Sequence, residues 1–276
     1  IEKKLRDIGI RTERYNTTCP FVEKVWNRSA QIAKKNYTIV VHGKPGHEET
    51  RATYSHAAAD TPTVVVKDMA QTKILAEYIK GALPPDSFYT TFKGQYSHGF
   101  DVQKDLRRIG VVNQTTMLAS DTQAIADFLK QTMIEVYQPA EGNIEQHFAD
   151  TRDTLCYATL DNQSAIMGLL NTPADLAIVV GGYNSSNTSH LVELCEEKLT
   201  TFFISSEEKI ISPTEILHYN FHNKKEVKTT GWLPAQHPVR ILISSGASCP
   251  DALVEAVIDK LAGYYNAAEK LEVFIG

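Results

Sequence analysis

Short apolar runs rich in valine and isoleucine alternate along the chain with longer stretches of helical periodicity. The runs that predict buried strands are residues 37–41, 63–66, 110–112, 176–180, 201–204 and 239–243. The stretches that predict helices are residues 22–35, 70–79, 122–136, 162–170, 189–198 and 250–262. Short apolar strands between amphipathic helices are typical of parallel sheets that are covered on both faces.

This alternation predicts an α/β fold with parallel sheets. A unit of strand, polar loop and helix recurs, and in open parallel sheets ligands bind at the carboxyl ends of the strands. We expect Asp121 to cap the helix that follows the loop at Thr115 and Thr116. We expect Pro250 to lie near the first turn of the last helix.

A polar segment at residues 137–152, which contains Pro139 and Gly142, is the predicted domain boundary. It divides the chain into a first domain at residues 1–152 and a second at residues 153–276. Within the second domain, residues 205–233 are interpreted as covering loops and a short helix. Residues 271–275 are a possible edge strand near the end of the chain.

The composition narrows the classes of function. The net charge of −5 argues against a nucleic-acid-binding protein, which would carry a basic face. No apolar run approaches the roughly 20 residues of a membrane span, and no apolar stretch follows Ile1-Glu2-Lys3-Lys4, so we expect neither a membrane segment nor a signal peptide there. Four cysteines without a C-x-x-C pair are too few for a disulfide scaffold and indicate a reducing compartment.

Three polar loops follow predicted strands and could bind an oxyanion. The loop at residues 184–189 contains six small hydrogen-bonding residues after Gly181-Gly182, which let the backbone turn sharply. Free backbone N–H groups at a helix start, with hydroxyls and amides beside them, suit a phosphate or diphosphate. The loops at residues 245–248 and 113–116 have a similar composition. Ordinary helix capping is the alternative for each loop.

A fourth polar loop contains His47-Glu48-Glu49. A histidine can donate to a phosphate oxygen, and a carboxylic acid beside it can deliver a proton. The zinc motif H-E-x-x-H is excluded because Arg51 stands where the second histidine would be. The alternative is a solvated polar loop without function. His42, His56 and His98 are interpreted as structural or surface histidines.

Cys19 and Cys156 are the candidate metal ligands. Cys19 follows Asn16-Thr17-Thr18, and Cys156 follows Asp153-Thr154-Leu155, so both could lie at the mouth of the same sheets as the polar loops. Soft thiolates favour zinc or iron–sulfur, but two of them do not complete either kind of site. Cys195, within a helical pattern, is expected to be a core residue.

Motifs along nearly the whole chain resemble those of one family and follow each other in the family's order. They are Thr17-Thr18-Cys19-Pro20, His42-Gly43-Lys44 with His47-Glu48-Glu49-Thr50, Asn113-Gln114-Thr115-Thr116-Met117-Leu118, residues 181–191 and Ser245-Gly246-Ala247-Ser248. The family is 4-hydroxy-3-methylbut-2-enyl diphosphate reductase, also called LytB or IspH. The residues of the motifs are closest to those of its plant and cyanobacterial branch.

The resemblance implies a reductive dehydroxylation of an allylic alcohol diphosphate. Its products are isopentenyl and dimethylallyl diphosphate, in the last step of the non-mevalonate isoprenoid pathway. The family fold has three Rossmann-like α/β modules around a central 4Fe-4S cluster held by three cysteines. Ferredoxin or flavodoxin is the implied electron donor, and a bacterial cytoplasm or a plastid stroma is the implied compartment.

The resemblance also implies roles for individual residues. Cys19 and Cys156 match two of the cluster ligands. Glu49 matches the proton relay, with Thr115 and Thr116 beside it, and His47 matches a residue of both relay and substrate binding. The implied diphosphate ligands are His47, Thr115, Ser185, Ser186, Asn187 and Ser248.

The chain departs from the family pattern at its start. The first module, with the first cysteine and a further histidine, should precede Cys19, but only 18 residues do. The chain therefore looks like the second and third modules, with a fragment or companion chain supplying the first. Cys249, beside Ser248, occupies a position where the family usually has a small residue, and we do not expect it to be the third ligand.

Two other functions stay open at this point. The first is a cluster-free remnant that binds diphosphate without catalysis, which the presence of only two of three ligands favours. The second is a sugar-phosphate isomerase with Glu49 as the base, which would leave Cys19 and Cys156 without a role.

Overall fold

The computed structural model of the chain describes residues 2–13, 17–140, 143–149, 155–235 and 238–265. Its helices are α1 (Glu2–Asp7), α2 (Pro20–Ala33), α3 (Glu48–Asp60), α4 (Met69–Ile79), α5 (Pro85–Thr91), α6 (Val102–Asp105), α7 (Ala119–Tyr137), α8 (Tyr157–Leu169), α9 (Ser186–Glu196) and α10 (Asp251–Tyr264). Its strands are β1 (Thr38–His42), β2 (Thr63–Val66), β3 (Ile109–Asn113), β4 (Phe148–Ala149), β5 (Leu176–Val180), β6 (Thr201–Ile204), β7 (Ile210–Ser212), β8 (Glu215–Asn220), β9 (Lys225–Thr230) and β10 (Ile241–Ser245).

The first sheet is parallel, with strand order β2-β1-β3-β4. Every residue of β1, β2 and β3 is buried, because helices cover both faces. On one face, Val40 and Val111 pack with α4 and α7 through Leu75 and Leu129. On the other face, the core includes residues of α2 and α3.

The second sheet is also parallel, with strand order β10-β5-β6. Its central strand β5 is buried at all five positions. One face packs against α8 and α9 through Ile166 and Leu191. The other packs against α10 through Val257. The prediction of an α/β fold with parallel sheets is therefore confirmed, and all six predicted strands are present.

Residues 205–233 differ from the prediction of loops and a short helix. The segment forms an antiparallel sheet of order β7-β8-β9 after a short 3₁₀ helix, Glu207–Lys209. Ile210 and Ile216 face the core of the second sheet and are fully buried. The sequence does not reveal this sheet, because β9 is a charged and largely exposed edge strand without apolar alternation.

Five of the six predicted helices start one to five residues earlier than predicted, and α10 starts one residue later. The prediction that Asp121 caps α7 is wrong: the N-cap is Leu118, and Asp121 lies inside the first turn. Gln163 of α8 caps α7 instead, since its Oε1 accepts from the Ala119 N–H at 3.0 Å. Pro250 is the N-cap residue of α10, as expected near a first turn.

The predicted boundary at residues 137–152 is partly structured. It contains a 3₁₀ helix, Asn143–Gln146, and the strand β4, which pairs with β3. The predicted division between residues 152 and 153 lies outside the described residues, as do Asn16, Asp153, Thr154 and the possible edge strand at 271–275. Among the described residues, no helix combines the length and apolar character needed to cross a membrane.

Gly110 allows α2 to approach the first sheet closely. A Cβ atom at Gly110 would lie 2.9 Å from Cγ2 of Ile32 and 3.1 Å from Cβ of Ala149. We predict that Gly110→Ala lowers the free energy of unfolding by about 1–3 kcal/mol through overpacking. Gly168→Ala is the control, because no atom lies within 4 Å and alanine favours helix there by roughly 0.5–1 kcal/mol. Urea unfolding compares the two, and equal stabilities would contradict the close packing.

Candidate functional site

The carboxyl ends of the two parallel sheets face each other through their polar loops. The loop after β3 begins with Gln114, which is fully buried. Its Nε2 donates to the hydroxyl of Ser186, at the start of α9, over 3.2 Å. The predicted position of the loops at strand ends is confirmed, and this contact joins residues 72 positions apart in the chain.

Gln114 connects its own loop to three other segments of the site. Its Oε1 accepts from the Thr50 hydroxyl at 2.8 Å and from the Lys44 N–H at 3.2 Å. Its Nε2 also donates to Thr116 Oγ1 at 2.6 Å. One buried amide therefore fixes the loop after β1, the start of α3, the loop after β3 and the start of α9 relative to one another.

His47 and Glu49 lie at the start of α3 rather than in a solvated loop. His47 is the N-cap residue, and its Nδ1 accepts from the Glu49 N–H at 3.2 Å. A ring nitrogen that accepts carries no proton, so any ring proton of the neutral histidine is on Nε2. The Glu49 carboxylate Oε1 accepts from the Thr115 N–H at 2.5 Å. The structure thus brings His47, Glu49 and Thr115 together.

The surroundings of Glu49 favour its protonated form. Burial raises the pKa of Glu49 above its ordinary value of 4.5, and this effect outweighs the lowering by hydrogen bonds from Thr115 and by the nearby His47. A half-buried carboxyl with a raised pKa can hold a proton at higher pH than an exposed one and release it to a neighbouring group.

Cys19 and Cys156 are the N-cap residues of α2 and α8. The two helix starts are close, since the rings of Phe21 and Tyr157 lie 6.0 Å apart between centroids. The Cys156 N–H donates to the Thr115 carbonyl at 3.3 Å, which ties this cysteine to the same loop as Glu49. The structure thus places Cys19 and Cys156 at neighbouring helix starts.

The described residues do not complete a metal site. No group of three or more His, Cys, Asp or Glu side chains within the described ranges is arranged to hold a metal ion. Cys195 is fully buried, and burial raises the pKa of its thiol to about 12, which fits the predicted core role. Cys249 is half-buried against the core of the second sheet.

The start of α9 holds polar atoms that the protein does not satisfy. Ser185 is the N-cap residue, and its hydroxyl accepts from the Thr188 N–H at 3.2 Å. Asn187 is 5% exposed, yet neither Oδ1 nor Nδ2 has a partner in the described part of the chain. An unsatisfied buried polar group costs about 1–3 kcal/mol, so the fold around Asn187 bears that cost.

Thr188 brings the two glycine loops of the second sheet into contact. A Cβ atom at Gly246 would lie 2.0 Å from Thr188 Oγ1, and one at Gly181 would lie 2.8 Å from it. The loop after β10, which contains Ser248, therefore packs directly on the first turn of α9. Ser248 itself is exposed at the rim of this loop.

The antiparallel sheet holds the loop after β5 from outside. The Tyr183 ring stacks on Tyr219 with 4.3 Å between centroids, and its hydroxyl donates to Glu226 Oε1 at 2.9 Å. Glu226 also pairs with Lys209 at 2.5 Å. These contacts of the antiparallel sheet fix the backbone that leads into Ser185.

Sequence reasoning located the loops but missed the residues that join them. Gln114 was part of a predicted polar loop without a role of its own, and Gln163 was not singled out. His42 is buried and its Nδ1 lies 3.0 Å from Thr122 Oγ1, as expected for a structural histidine. His56 stacks on Trp26 and His98 is exposed, which agrees with surface roles.

The comparisons with known proteins agree on one family. The sequence model of the family described as LytB protein matches residues 1–262. A 4-hydroxy-3-methylbut-2-enyl diphosphate reductase from Crocosphaera subtropica is 40% identical over 253 residues, covering 91% of this chain and 61% of that protein. The protein of that name from Picosynechococcus sp. is 42% identical over 248 residues, covering 89% of this chain and 59% of its own length.

Among solved structures, the E-1-hydroxy-2-methyl-but-2-enyl-4-diphosphate reductase from Plasmodium falciparum is similar in fold. Its TM-score is 0.57 at 21% sequence identity, over 89% of this chain and 58% of that chain. This likeness supports the fold alone. The chain spans 61% and 60% of the length of the first two curated relatives it matches.

Gln114 should be indispensable to the joint between the sheets. We predict that Gln114→Leu lowers the free energy of unfolding by about 2–4 kcal/mol, because Thr50 and Ser186 stay buried without this partner. Gln123→Leu is the control, since Gln123 makes a single exposed side-chain contact with Asp127. Urea unfolding of both variants is the measurement, and equal losses would refute the proposed importance of Gln114.

The raised pKa of Glu49 has a consequence for stability. The protonated form is favoured in the folded protein, so its stabilising contribution is present below the ordinary pKa of 4.5 and is lost as pH rises through the raised pKa. We predict that Glu49→Gln, which keeps an acceptor for Thr115, raises Tm at pH 7 relative to the wild type. The difference should vanish below about pH 4.

Glu48→Gln is the matched control, because Glu48 is an exposed carboxylate in the same helical turn. Its loss removes a favourable interaction with the helix N-terminus, so its Tm should stay equal or fall slightly. A fall in Tm for Glu49→Gln at pH 7 would contradict the assigned effect of burial.

Proposed function

The chain belongs to the LytB protein family, and we propose that it acts in the reductive dehydroxylation of (E)-4-hydroxy-3-methylbut-2-enyl diphosphate. The products are isopentenyl and dimethylallyl diphosphate, in the last step of the non-mevalonate isoprenoid pathway. The reaction breaks the allylic C–O bond, forms a C–H bond and releases water, and it consumes two electrons and two protons. Support comes from the names of the curated relatives and from the site geometry.

One observation carries the proposal for the diphosphate. Asn187 is buried with both amide atoms unpartnered among the described residues, beside the hydroxyl of Ser186 and at the start of a helix. A phosphate oxygen bound there would accept from Nδ2 and from the backbone N–H groups of the first turn. Ser185 and Ser248 complete this proposed set from the two loops that Thr188 holds together, and His47 and Thr115 add donors from the first sheet.

Glu49 is the proposed proton donor to the leaving hydroxyl group. Its raised pKa keeps a proton available, and loss of that proton leaves a carboxylate that the Thr115 N–H and His47 stabilise. Thr115 and Thr116 line the same loop, so their hydroxyls would orient the substrate's hydroxyl toward the carboxyl. Proton transfer by a positioned group of this kind contributes about 10²–10⁴-fold to rate.

Cys19 and Cys156 fit two ligands of the family's 4Fe-4S cluster by the chemistry of their thiolates and by their position at neighbouring helix starts. A bound cluster would supply the two electrons and a Lewis-acidic iron. The described residues contain no third ligand in place, so we derive no step that runs through the cluster. A further segment or chain would provide that ligand.

The lack of a third cluster ligand among the described residues favours a second candidate function. In this alternative, the chain is a cluster-free remnant that binds diphosphate through α9 and its neighbouring loops without catalysis. It requires the Asn187 site but gives no role to Cys19 and Cys156.

The proposed partners follow from the chemistry. The reaction needs an electron donor such as ferredoxin or flavodoxin and a small diphosphate substrate. Nucleic acid is not a proposed partner, in keeping with the net charge of −5. Cyanobacterial relatives support a bacterial cytoplasm or a plastid stroma as the compartment.

Iron content together with turnover tests the reductase against the remnant. After anaerobic reconstitution together with the segment or chain that provides the third ligand, we expect about four irons and four sulfides per chain. Turnover with reduced ferredoxin should fall by about 10²–10⁴-fold in Glu49→Gln with iron content unchanged. Glu48→Gln is the control and should keep full turnover.

Wild-type protein that binds diphosphate but no iron would favour the remnant over the reductase. Full turnover in Glu49→Gln would overturn the proton-donor role while leaving the reaction itself in place.

A further inference from the structure

A buried histidine, His190, lies one turn along α9 from Asn187 and contacts the partly exposed Glu193. Nδ1 of His190 lies 2.6 Å from Oε2 of Glu193, and the His190 side chain is 5% exposed. Its other ring nitrogen, Nε2, is buried and has no hydrogen-bond partner within the ranges that the structure describes. A buried ring nitrogen without a partner is costly, which indicates a missing partner.

Helix spacing places His190 on the same face of α9 as two residues of the proposed site. His190 is three residues after Asn187 and four after Ser186, so the three share a face. Side chains on a helix lean toward its N-terminus. Since Nδ1 is engaged by Glu193, which lies further along the helix, Nε2 is the ring nitrogen left for a ligand on this face.

Other ionisable groups surround the pair of His190 and Glu193. Burial acts to raise the pKa of Glu193, but His190, Lys44 and His222 hold it below the usual value, so the carboxylate is ionised. His42, at the end of β1, has its pKa lowered to about 4 by burial and then by the charge of His190, against a smaller opposing effect of Asp68. His42 is therefore neutral at pH 7.

We propose that His190, held by Glu193, is a further binding residue for diphosphate, donating from Nε2–H to a phosphate oxygen beside Asn187 and adding a positive charge there. The inference rests on the proposed function, because it concerns the same ligand at the same helix start. It adds a cationic donor to a set that otherwise consists of amides, hydroxyls and backbone N–H groups.

A second histidine–glutamate pair, between Glu196 at the end of α9 and His222 in the turn after β8, shows what an ordinary pair looks like. Nε2 of His222 lies 2.8 Å from Oε2 of Glu196, and their side chains are 60% and 37% exposed. Water reaches that pair, and such an exposed contact needs no ligand. His190 differs in being buried and in having one ring nitrogen without a partner.

The test is calorimetric titration of the whole chain with inorganic diphosphate, repeated in two buffers of different ionisation enthalpy. The difference between buffers gives the protons taken up on binding. We expect His190→Asn to weaken binding at least about tenfold and to reduce proton uptake. His190→Gln, which keeps an N–H donor without the charge, should retain part of the affinity but not the proton uptake.

Glu193→Gln tests the orienting partner and should weaken binding less than His190→Asn does. Its control is Glu196→Gln, which removes the same charge one turn further along the helix. The control for His190→Asn is the exposed His98→Asn. Both controls should bind as the wild type does. If His190→Asn does not fold, His190→Gln and Glu193→Gln give the answer.

Asn187→Ala distinguishes a failure of this inference from a failure of the proposed function. Lost binding in Asn187→Ala with wild-type affinity and proton uptake in His190→Asn would overturn this inference and leave the proposed function standing. Absence of diphosphate binding by the wild-type chain would overturn both.

Discussion

The hydrogen bond between Gln114 and Ser186 is the contact on which the arrangement of the site depends. Two parallel sheets, each with its own core, meet at the carboxyl ends of their strands, and at that joint a buried amide links the polar loops. Because the amide also fixes Thr50 and Thr116, the start of α3, which carries Glu49, and the start of α9 are held relative to each other by one side chain.

The start of α9 combines close packing with unsatisfied polar groups. The described residues satisfy most buried polar side-chain atoms, yet those of Asn187, Thr188 and His190 that lack partners cluster at the start of one helix. Each such atom opposes folding by about 1–3 kcal/mol, and the closely packed glycine loops prevent the helix start from relaxing. The protein tolerates these unsatisfied groups because the packing around them fixes the helix start in place.

The sequence predicts much of this architecture, because burial on both faces gives β1, β2, β3 and β5 continuous apolar runs. It also predicts which loops reach the carboxyl edge. It does not predict the antiparallel sheet, whose strand β9 is exposed and charged. Nor does it predict the roles of Gln114 and Gln163, since each side chain bonds to a residue in the other half of the chain, and that contact depends on how the sheets pack. The likeness to a known family supplied the proposed chemistry, which the polar loops alone left open.

The central claim is that loops from both sheets form one diphosphate site. Backbone amide NMR during titration with inorganic diphosphate tests it most directly. We predict that amides at residues 114–116, 185–188 and 246–249 shift together with a single midpoint, because the joint at Gln114 couples them. Shifts confined to one sheet, or absent from residues 185–188, would contradict a shared site.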